Sequence, residues 1–287
     1  MSKINLEFVQ DAKEYVRKFL DENLPPEITF HTFDHTSFVA EKARLIGQNS
    51  GLNDHELHLA EICAWFHDIG YAIEPNNHEE IGAKYAGEFL ADKGVDKEDI
   101  EKVKNCIMST HMPQQPREMI SQVVCDADLA HLAEDDYFER IEKMRLEWAN
   151  LADGKFSKKK FYNVSIKFFK LHEYHTDYAK RELQSLKDKN FERIQKEKYM
   201  LEKKTEQKLL EKKEGKKKKG YSRGVESMFR LTARNQINLS SIADNKSNIL
   251  ISVNAIMMSI TMTVLVTKFE ETPNIILPTL VFLLFCL

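Results

Sequence analysis

The sequence predicts an all-α protein in which a helical bundle is followed by a long charged segment and then by apolar helices. Between residues 5 and 175, apolar side chains recur at spacings of three and four, and the alternating runs typical of strands are few. Residues 187–223 hold 15 Lys/Arg and 7 Asp/Glu, a net charge of +8, and the rest of the chain carries −11. Of the last 40 residues, 25 are hydrophobic. The formal net charge of −3 is therefore the sum of unlike parts of the chain. The overall composition excludes a disordered chain or a small disulfide scaffold.

The first part is predicted to form seven or eight helices with one sizeable core, in a domain spanning residues 1–185. The first helix illustrates the pattern, because Val9, Ala12, Val16 and Leu20 fall on one helical face. Turn-forming residues mark the predicted breaks, at 25–26, 51–54, 70–77, near 94 and at 113–116.

The second part, residues 186–222, is rich in Lys and Glu and ends near a run of four lysines at 216–219. A long exposed helix and a partly disordered tether both fit this composition, and we favour the helix.

The third part contains a predicted membrane span at residues 248–267, which hold no charge and lie between Lys246 and Lys268. Twenty helical residues cross about 30 Å of hydrocarbon, and a buried core helix is the alternative. A second apolar run, 274–287, has 14 residues and is too short to span unaided. We expect the chain to end inside a second membrane helix.

The charge pattern predicts the orientation in the membrane. The basic stretch precedes the first span, so the N-terminal side is expected to be cytoplasmic, with its lysines near lipid headgroups. The N-terminus lacks the apolar run of a secretory signal. Four separated cysteines indicate free thiols in a reducing compartment: Cys63, Cys106, Cys125 and Cys286. The expected location is a bacterial inner membrane, with the helical domain in the cytoplasm.

Histidine is confined to the helical part, where all ten lie between residues 31 and 175. The sharpest feature is the adjacent pair His67-Asp68 at the end of an apolar helix. Neighbouring helical residues point about 100° apart, so both can reach one metal only if facing helices supply further ligands. Nitrogen and oxygen donors suit Mn, Fe, Zn, Mg or Co. The candidates on other helices are His35, His78, His111 and Asp128.

The order His35, His67-Asp68, Asp128 resembles the signature of the HD-domain metal-dependent phosphohydrolases, over residues 28–175. The resemblance implies an all-helical fold in which these four residues hold a divalent metal. His78 and His111 match the extra histidines of binuclear members, in which the aspartate of the pair bridges two metals. One or two divalent ions are therefore expected, with Asp68 also placed in the catalytic machinery.

Further roles are implied or suggested for neighbouring residues. His31 matches the first histidine of the family's opening motif, which implies a substrate-facing proton donor. Either acid of Cys125-Asp126-Ala127-Asp128 could be the ligand, and the spacing to the following Leu favours Asp128.

Substrate contacts are predicted at Arg117, at His172 and at Tyr174, the last two of which close the final helix of the domain. Lys42, Arg44 and Lys84 could also neutralise phosphate, although each fits a solvated helix face equally well. His55, His58 and His131 are interpreted as surface or structural residues.

The C-terminal part, residues 223–287, also resembles a known family. The run from Arg234 to Leu250 and the helix after it are similar to the start of the transmembrane effector domain of Pycsar anti-phage systems, here incomplete. The resemblance implies a response to cyclic pyrimidine nucleotides. Polar residues within the span could bind neighbouring helices and favour a homo-oligomer: Ser252, Asn254, Ser259 and Thr261.

The leading hypothesis is a membrane-anchored, divalent-metal phosphohydrolase that acts on a nucleotide or cyclic nucleotide, in bacterial signalling or anti-phage defence. Expected partners are this nucleotide, membrane lipid and further copies of the chain, and no nucleic acid. The alternative is a membrane effector whose helical domain binds nucleotide without hydrolysing it. A third possibility is a metal-stabilised helical scaffold tethered to the membrane.

Overall fold

The computed structural model describes residues 4–152 and 156–271, and no strand occurs among them. This confirms the predicted all-α class. Short 3-10 helices occur at Ile69–Ala72, Pro75–Asn77 and Leu129–Ala133. The α-helices are α1 (Leu6–Asn23), α2 (Phe33–Asn49), α3 (Asp54–Phe66), α4 (His78–Asp92), α5 (Lys97–Met108), α6 (Met119–Asp128), α7 (Tyr137–Leu151), α8 (Lys158–Leu171), α9 (Asp177–Glu182) and α10 (Gln184–Glu271).

Helix α3 lies at the centre of the bundle, in contact with α1, α2, α5 and α6. From Leu59 to Phe66 every residue is buried and all but Glu61 are apolar, which is typical of a helix surrounded by others. Asn53 and Glu56 form a capping box that begins the helix at its exposed end. The opposite end is fully buried and continues directly into His67 and Asp68.

Close packing between α3 and α4 depends on Gly82. A Cβ atom at this position would lie 2.5 Å from the carbonyl oxygen of Phe66 and 3.1 Å from that of His67. Gly70 in the intervening turn lies equally close to the backbone of His78. The absence of these side chains brings the beginning of α4 against the end of α3.

A second apolar cluster joins α7 and α8 to the first turns of α10, with Tyr137, Phe161 and Ile194 among its buried members. Asn190 on α10 donates hydrogen bonds of 2.9 and 2.8 Å to the carbonyls of Leu132 and Glu134. These bonds tie α10 to the segment that follows α6.

The chain divides into two compact units, Met1–Thr205 and Glu206–Leu287, and the division falls within α10. The charged segment is helical, in agreement with the favoured alternative. In the second unit, Arg223–Val264 is long and apolar enough to cross a membrane, and none of its most apolar window is buried. The predicted run 274–287, with Cys286, lies outside the described residues. The domain boundaries at 185 and 222 stay predictions.

The packing of α4 on α3 leads to a test with two substitutions on the same helix. Gly82→Ala forces the helices apart, and we expect a loss of about 1–3 kcal/mol in unfolding free energy. Gly87→Ala closely approaches only the flexible Lys104 side chain, at 3.3 Å, and makes an ordinary contact with Ile100 at 3.8 Å, so the better helix propensity of Ala should raise stability by about 0.5–1 kcal/mol. Chemical denaturation of both variants checks this, and equal stabilities would contradict the close approach.

Candidate metal centre and adjoining cavity

Four predicted ligands converge in the core: His35 from α2, His67 and Asp68 after α3, and Asp128 at the end of α6. One donor atom of each lies within 4.8 Å of all the others. The Nε2 atom of His67 lies 3.0 Å from Asp68 Oδ2 and 3.6 Å from Asp128 Oδ1. The Nε2 atom of His35 lies 3.3 and 3.4 Å from the same two oxygens. Bonds of about 2.1 Å to one ion place adjacent ligands about 3.0 Å apart, so the arrangement fits a divalent metal.

The direction of the imidazole rings supports this fit. His67 Nδ1 lies 2.8 Å from the carbonyl oxygen of Ala64, which can only accept, so Nδ1 carries a proton and Nε2 faces the carboxylates. The buried atoms His35 Nε2, His67 Nε2 and Asp68 Oδ2 have no hydrogen-bond partner with suitable geometry among the described residues. A cation between them would satisfy all three atoms.

The electrostatic environment leads to the same conclusion. Burial lowers the pKa of His67, but the carboxylates of Asp68 and Asp128 outweigh burial and raise it well above its usual range. Without a metal, a proton on the imidazole supplies the positive charge that the two carboxylates require. A divalent cation can replace that proton, because the same donor atoms face it.

A second group of donors adjoins the first through Asp68. Its Oδ1 atom lies 3.7 Å from Nε2 of His78, whose Nδ1 is fixed 2.8 Å from the carbonyl oxygen of Pro75. Glu79 Oε1 lies 3.2 Å from His78 Nε2 and 3.0 Å from Nδ1 of His111. Asp68 thus offers one oxygen to each group. Sequence analysis missed the buried Glu79, although its position beside a predicted ligand was a usable signal.

His31 is held at the edge of these groups by Glu147 from α7, a completely buried residue. The two side chains meet at 2.5 Å between Nδ1 and Oε1, while Glu147 Oε2 accepts from the backbone N–H groups of Thr29, Phe30 and His31. The His31 ring also stacks on Tyr71, with centroids 3.8 Å apart. Burial raises the pKa of Glu147, but the His31 contact and the backbone donors together lower it. Glu147 is therefore ionised and orients His31.

A cavity of about 440 Å³ opens beside both donor groups. The polar part of its wall includes His31, Asp68, His78, His111 and Asp128, and apolar side chains of α7 and α8 contribute a large share of the remainder. A larger groove of about 640 Å³ between α4 and α5 holds none of the candidate ligands. Their convergence makes the smaller cavity the candidate active site.

His131 also lines this cavity, which differs from its structural interpretation in the sequence. Its Nδ1 lies 2.9 Å from the carbonyl oxygen of Asp128. Burial and the neighbouring His35 lower the pKa of His131 to about 4. The imidazole is therefore neutral at physiological pH, and its Nε2 is an acceptor.

The acid at position 126 does not join the cluster. Its carboxylate accepts hydrogen bonds of 2.7 Å from the backbone N–H of His175 and from both the N–H and the hydroxyl of Thr176. Asp126 thereby fixes the segment before α9, whereas Asp128 lies with the histidines, as the sequence spacing favoured.

The predicted substrate contacts at Arg117, His172 and Tyr174 lie off the cavity wall. Arg117 is exposed in the connection between α5 and α6. Tyr174 is buried with its hydroxyl 3.4 Å from the carbonyl oxygen of Leu129, and His172 borders a neighbouring cavity with Gln114.

Each of the other cations predicted to bind phosphate lies near a glutamate carboxylate. Lys42 pairs with Glu134 at 2.5 Å, and Arg44 lies 3.4 Å from Glu61. Lys84 lies 3.9 Å from Glu88, beside the groove between α4 and α5.

Residues 32–133 match the sequence model of the HD domain family. The chain contains an HD domain. The match includes His35, His67, Asp68 and Asp128, and HD domains bind divalent metals. His31 and Glu147 lie outside it, on either side.

Solved structures of other proteins are similar to this chain. A Lactobacillus plantarum protein is 18% identical, with a TM-score of 0.52, over 70% of this chain and 98% of its own. Bacillus subtilis YpgQ, solved in complex with ADP, is 19% identical, with a TM-score of 0.49, over 67% and 95%. A predicted HD superfamily hydrolase from an uncultured Thermotogales bacterium is 22% identical, with a TM-score of 0.40, over 56% and 88%. The first likeness shows a shared fold. A search of curated proteins gave no match.

Loss of one donor should abolish metal binding. We expect His67→Ala and Asp68→Ala to weaken Mn²⁺ binding at least about 100-fold, because even a change outside the ligand shell typically costs 10- to 100-fold. His55→Ala is the control, since His55 pairs with Asp99 at 3.0 Å on α5. Elemental analysis and titration calorimetry measure the binding. Unchanged metal content in both core variants would refute the cluster as a metal centre.

Proposed function

We propose that the HD domain is a divalent-metal-dependent phosphohydrolase that acts on a nucleotide or cyclic nucleotide. The observation that carries this proposal is the set of buried, unpartnered donor atoms at the polar end of the cavity. His35, His67, Asp68 and Asp128 would hold the first ion. His78, His111 and Asp68 would hold a second, with Glu79 beside them. When bound, such ions supply a nucleophile at neutral pH and positive charge for the phosphoryl oxygens.

His31 is the proposed proton donor to the leaving group. Its Nδ1 is occupied by Glu147, so Nε2 is the nitrogen left to give a proton to the leaving oxygen. Glu147 is a positioning residue, because it acts through His31 and fixes the backbone that carries it. The neutral His131 could accept a hydrogen bond from a substrate hydroxyl.

The cavity size supports a substrate of nucleotide dimensions. About 440 Å³ is within the range of small-molecule sites, and Trp148 and Phe168 offer aromatic surface for a base. The metal donors and this aromatic surface line the same cavity, so the phosphoryl group would lie at the donors and the base against the aromatic rings.

Membrane anchoring belongs to the same proposal. The segment Arg223–Val264 supports it by length and composition, and the exposure of Ile251, Met257 and Ile260 argues against a core helix. We place the HD domain on the cytoplasmic side of a bacterial inner membrane, in a homo-oligomer, with a role in nucleotide signalling or anti-phage defence. The basic residues before the segment and the Pycsar-like run from Arg234 support this placement.

A second candidate is a membrane effector in which the HD domain binds nucleotide without hydrolysing it. The observation in its favour is that α10 begins beside the cavity-bearing domain, where Asn190 anchors it, and includes the apolar segment.

The activity is tested on the full chain in detergent, loaded with Mn²⁺, against linear and cyclic nucleotides. We expect turnover of at least one nucleotide, lost with a chelator and in Asp68→Ala, and retained in His55→Ala. Binding without turnover would favour the effector. Neither turnover nor bound metal would overturn the phosphohydrolase.

The His31–Glu147 pair is tested through the leaving group. We expect His31→Gln to lower kcat by about 100-fold or more for a nucleotide, because general acid catalysis typically contributes that much. Glu147→Gln should have a smaller effect in the same direction. Both losses should shrink with a p-nitrophenyl ester, whose leaving group needs no proton, and metal content should be unchanged. Equal losses for both esters would indicate a structural role only.

A further inference from the structure

The apolar end of the cavity is built from two helical stripes. On α7, Ile141, Met144 and Trp148 follow one another at helical spacing, and on α8 Phe161, Val164 and Phe168 do the same. Trp148 and Phe161 meet edge to face, with ring centroids 5.3 Å apart. Side chains from both stripes line the same cavity, so they form an apolar wall of stable shape. We refer to these six residues as the apolar wall.

The charges around the cavity limit what can enter with this wall. Among the described residues that line it, none is Lys or Arg, whereas Asp68, Glu79 and Asp128 are acidic. Two arginines of α7 are engaged in ion pairs: Arg140 pairs with Asp136 at 2.8 Å, and Arg145 with Glu142 at 2.7 Å. A wall without Lys or Arg offers no side-chain cation to a second or third phosphate, so this cavity suits a single phosphoryl group at the metal donors.

We propose that the substrate is a mono- or diester with a single phosphate, whose apolar organic group of about ring size lies on the apolar wall. This inference rests on the proposed function and narrows it, since nucleoside di- and triphosphates fit poorly. An aromatic base and a short alkyl group share the required chemistry. Burial of such a group outside water supplies the binding, while the metal donors orient the phosphoryl group.

Non-hydrolysable phosphonates test the inference by calorimetry on the Mn²⁺-loaded full chain, with detergent-only blanks. We expect phenylphosphonate to bind at least about tenfold more tightly than methylphosphonate, because a buried ring contributes that much or more. Methylenediphosphonate, with two phosphoryl groups and no apolar part, should bind more weakly than phenylphosphonate. Hexylphosphonate distinguishes the two candidate organic groups. If it binds more tightly than phenylphosphonate, the organic group of the substrate is alkyl; if it binds more weakly, that group is an aromatic ring. Either result supports the proposal.

Matched substitutions on α8 test whether the preference for phenylphosphonate depends on the apolar wall. Val164 lines the cavity and is 38% exposed, so Val164→Lys should fold, weaken phenylphosphonate about tenfold and strengthen methylenediphosphonate. Leu171→Lys is the control, since Leu171 lies on the same helix, is 83% exposed and is off this wall. The ranking of probes on the unmodified chain remains decisive even if Val164→Lys fails to fold.

The outcomes separate this inference from the proposed function. Equal binding of phenyl- and methylphosphonate, tighter binding of methylenediphosphonate, or no phosphonate binding overturns the inference, even where nucleotides are hydrolysed. Preference for phenylphosphonate without turnover of any ester supports the single-phosphate, apolar ligand class and overturns the hydrolysis.

Discussion

The hydrogen bond from the His67 imidazole to the carbonyl of Ala64 fixes the centre on which the rest of the site depends. The carbonyl belongs to the last turn of the buried helix α3, and the bond to it orients the imidazole so that Nε2 faces Asp68 and Asp128. His78 and His131 repeat the arrangement, each with a carbonyl three residues earlier. Three rings are thus oriented by local backbone alone, and the bundle only has to bring their helices together.

That convergence explains the packing around α3. The glycines at 70 and 82 permit backbone contacts that any side chain would block, so the first turn of α4 brings His78 to the second oxygen of Asp68, with Glu79 beside His78. On the opposite side, Glu147 holds the loop that carries His31 by its backbone as well as by its ring. The metal donors are therefore anchored separately from the proton donor, whose anchor Glu147 shares α7 with part of the apolar wall.

Local pattern was sufficient to predict much of this structure. Periodicity predicted the helices, because a buried helical face must repeat every three to four residues, and the His67-Asp68 pair stood out at the end of such a face. The role of Glu147 could not be predicted from the sequence, because its partner His31 lies 116 residues earlier and only the fold brings the two together. Arg117 and Tyr174 were plausible by residue type. In the structure, Arg117 is exposed and lies off the cavity wall, and Tyr174 is buried against Leu129.

The spread of the donors along the chain has a thermodynamic consequence. His35 lies in α2, His67 directly follows α3 and Asp128 ends α6, so only the folded chain presents them to one ion, and the unfolded chain binds it far more weakly. A ligand selective for the folded state raises the unfolding free energy in proportion to the logarithm of its free concentration. The same buried atoms lower stability when no cation faces them. Metal supply would then govern the lifetime of the folded protein in the cell as well as its activity.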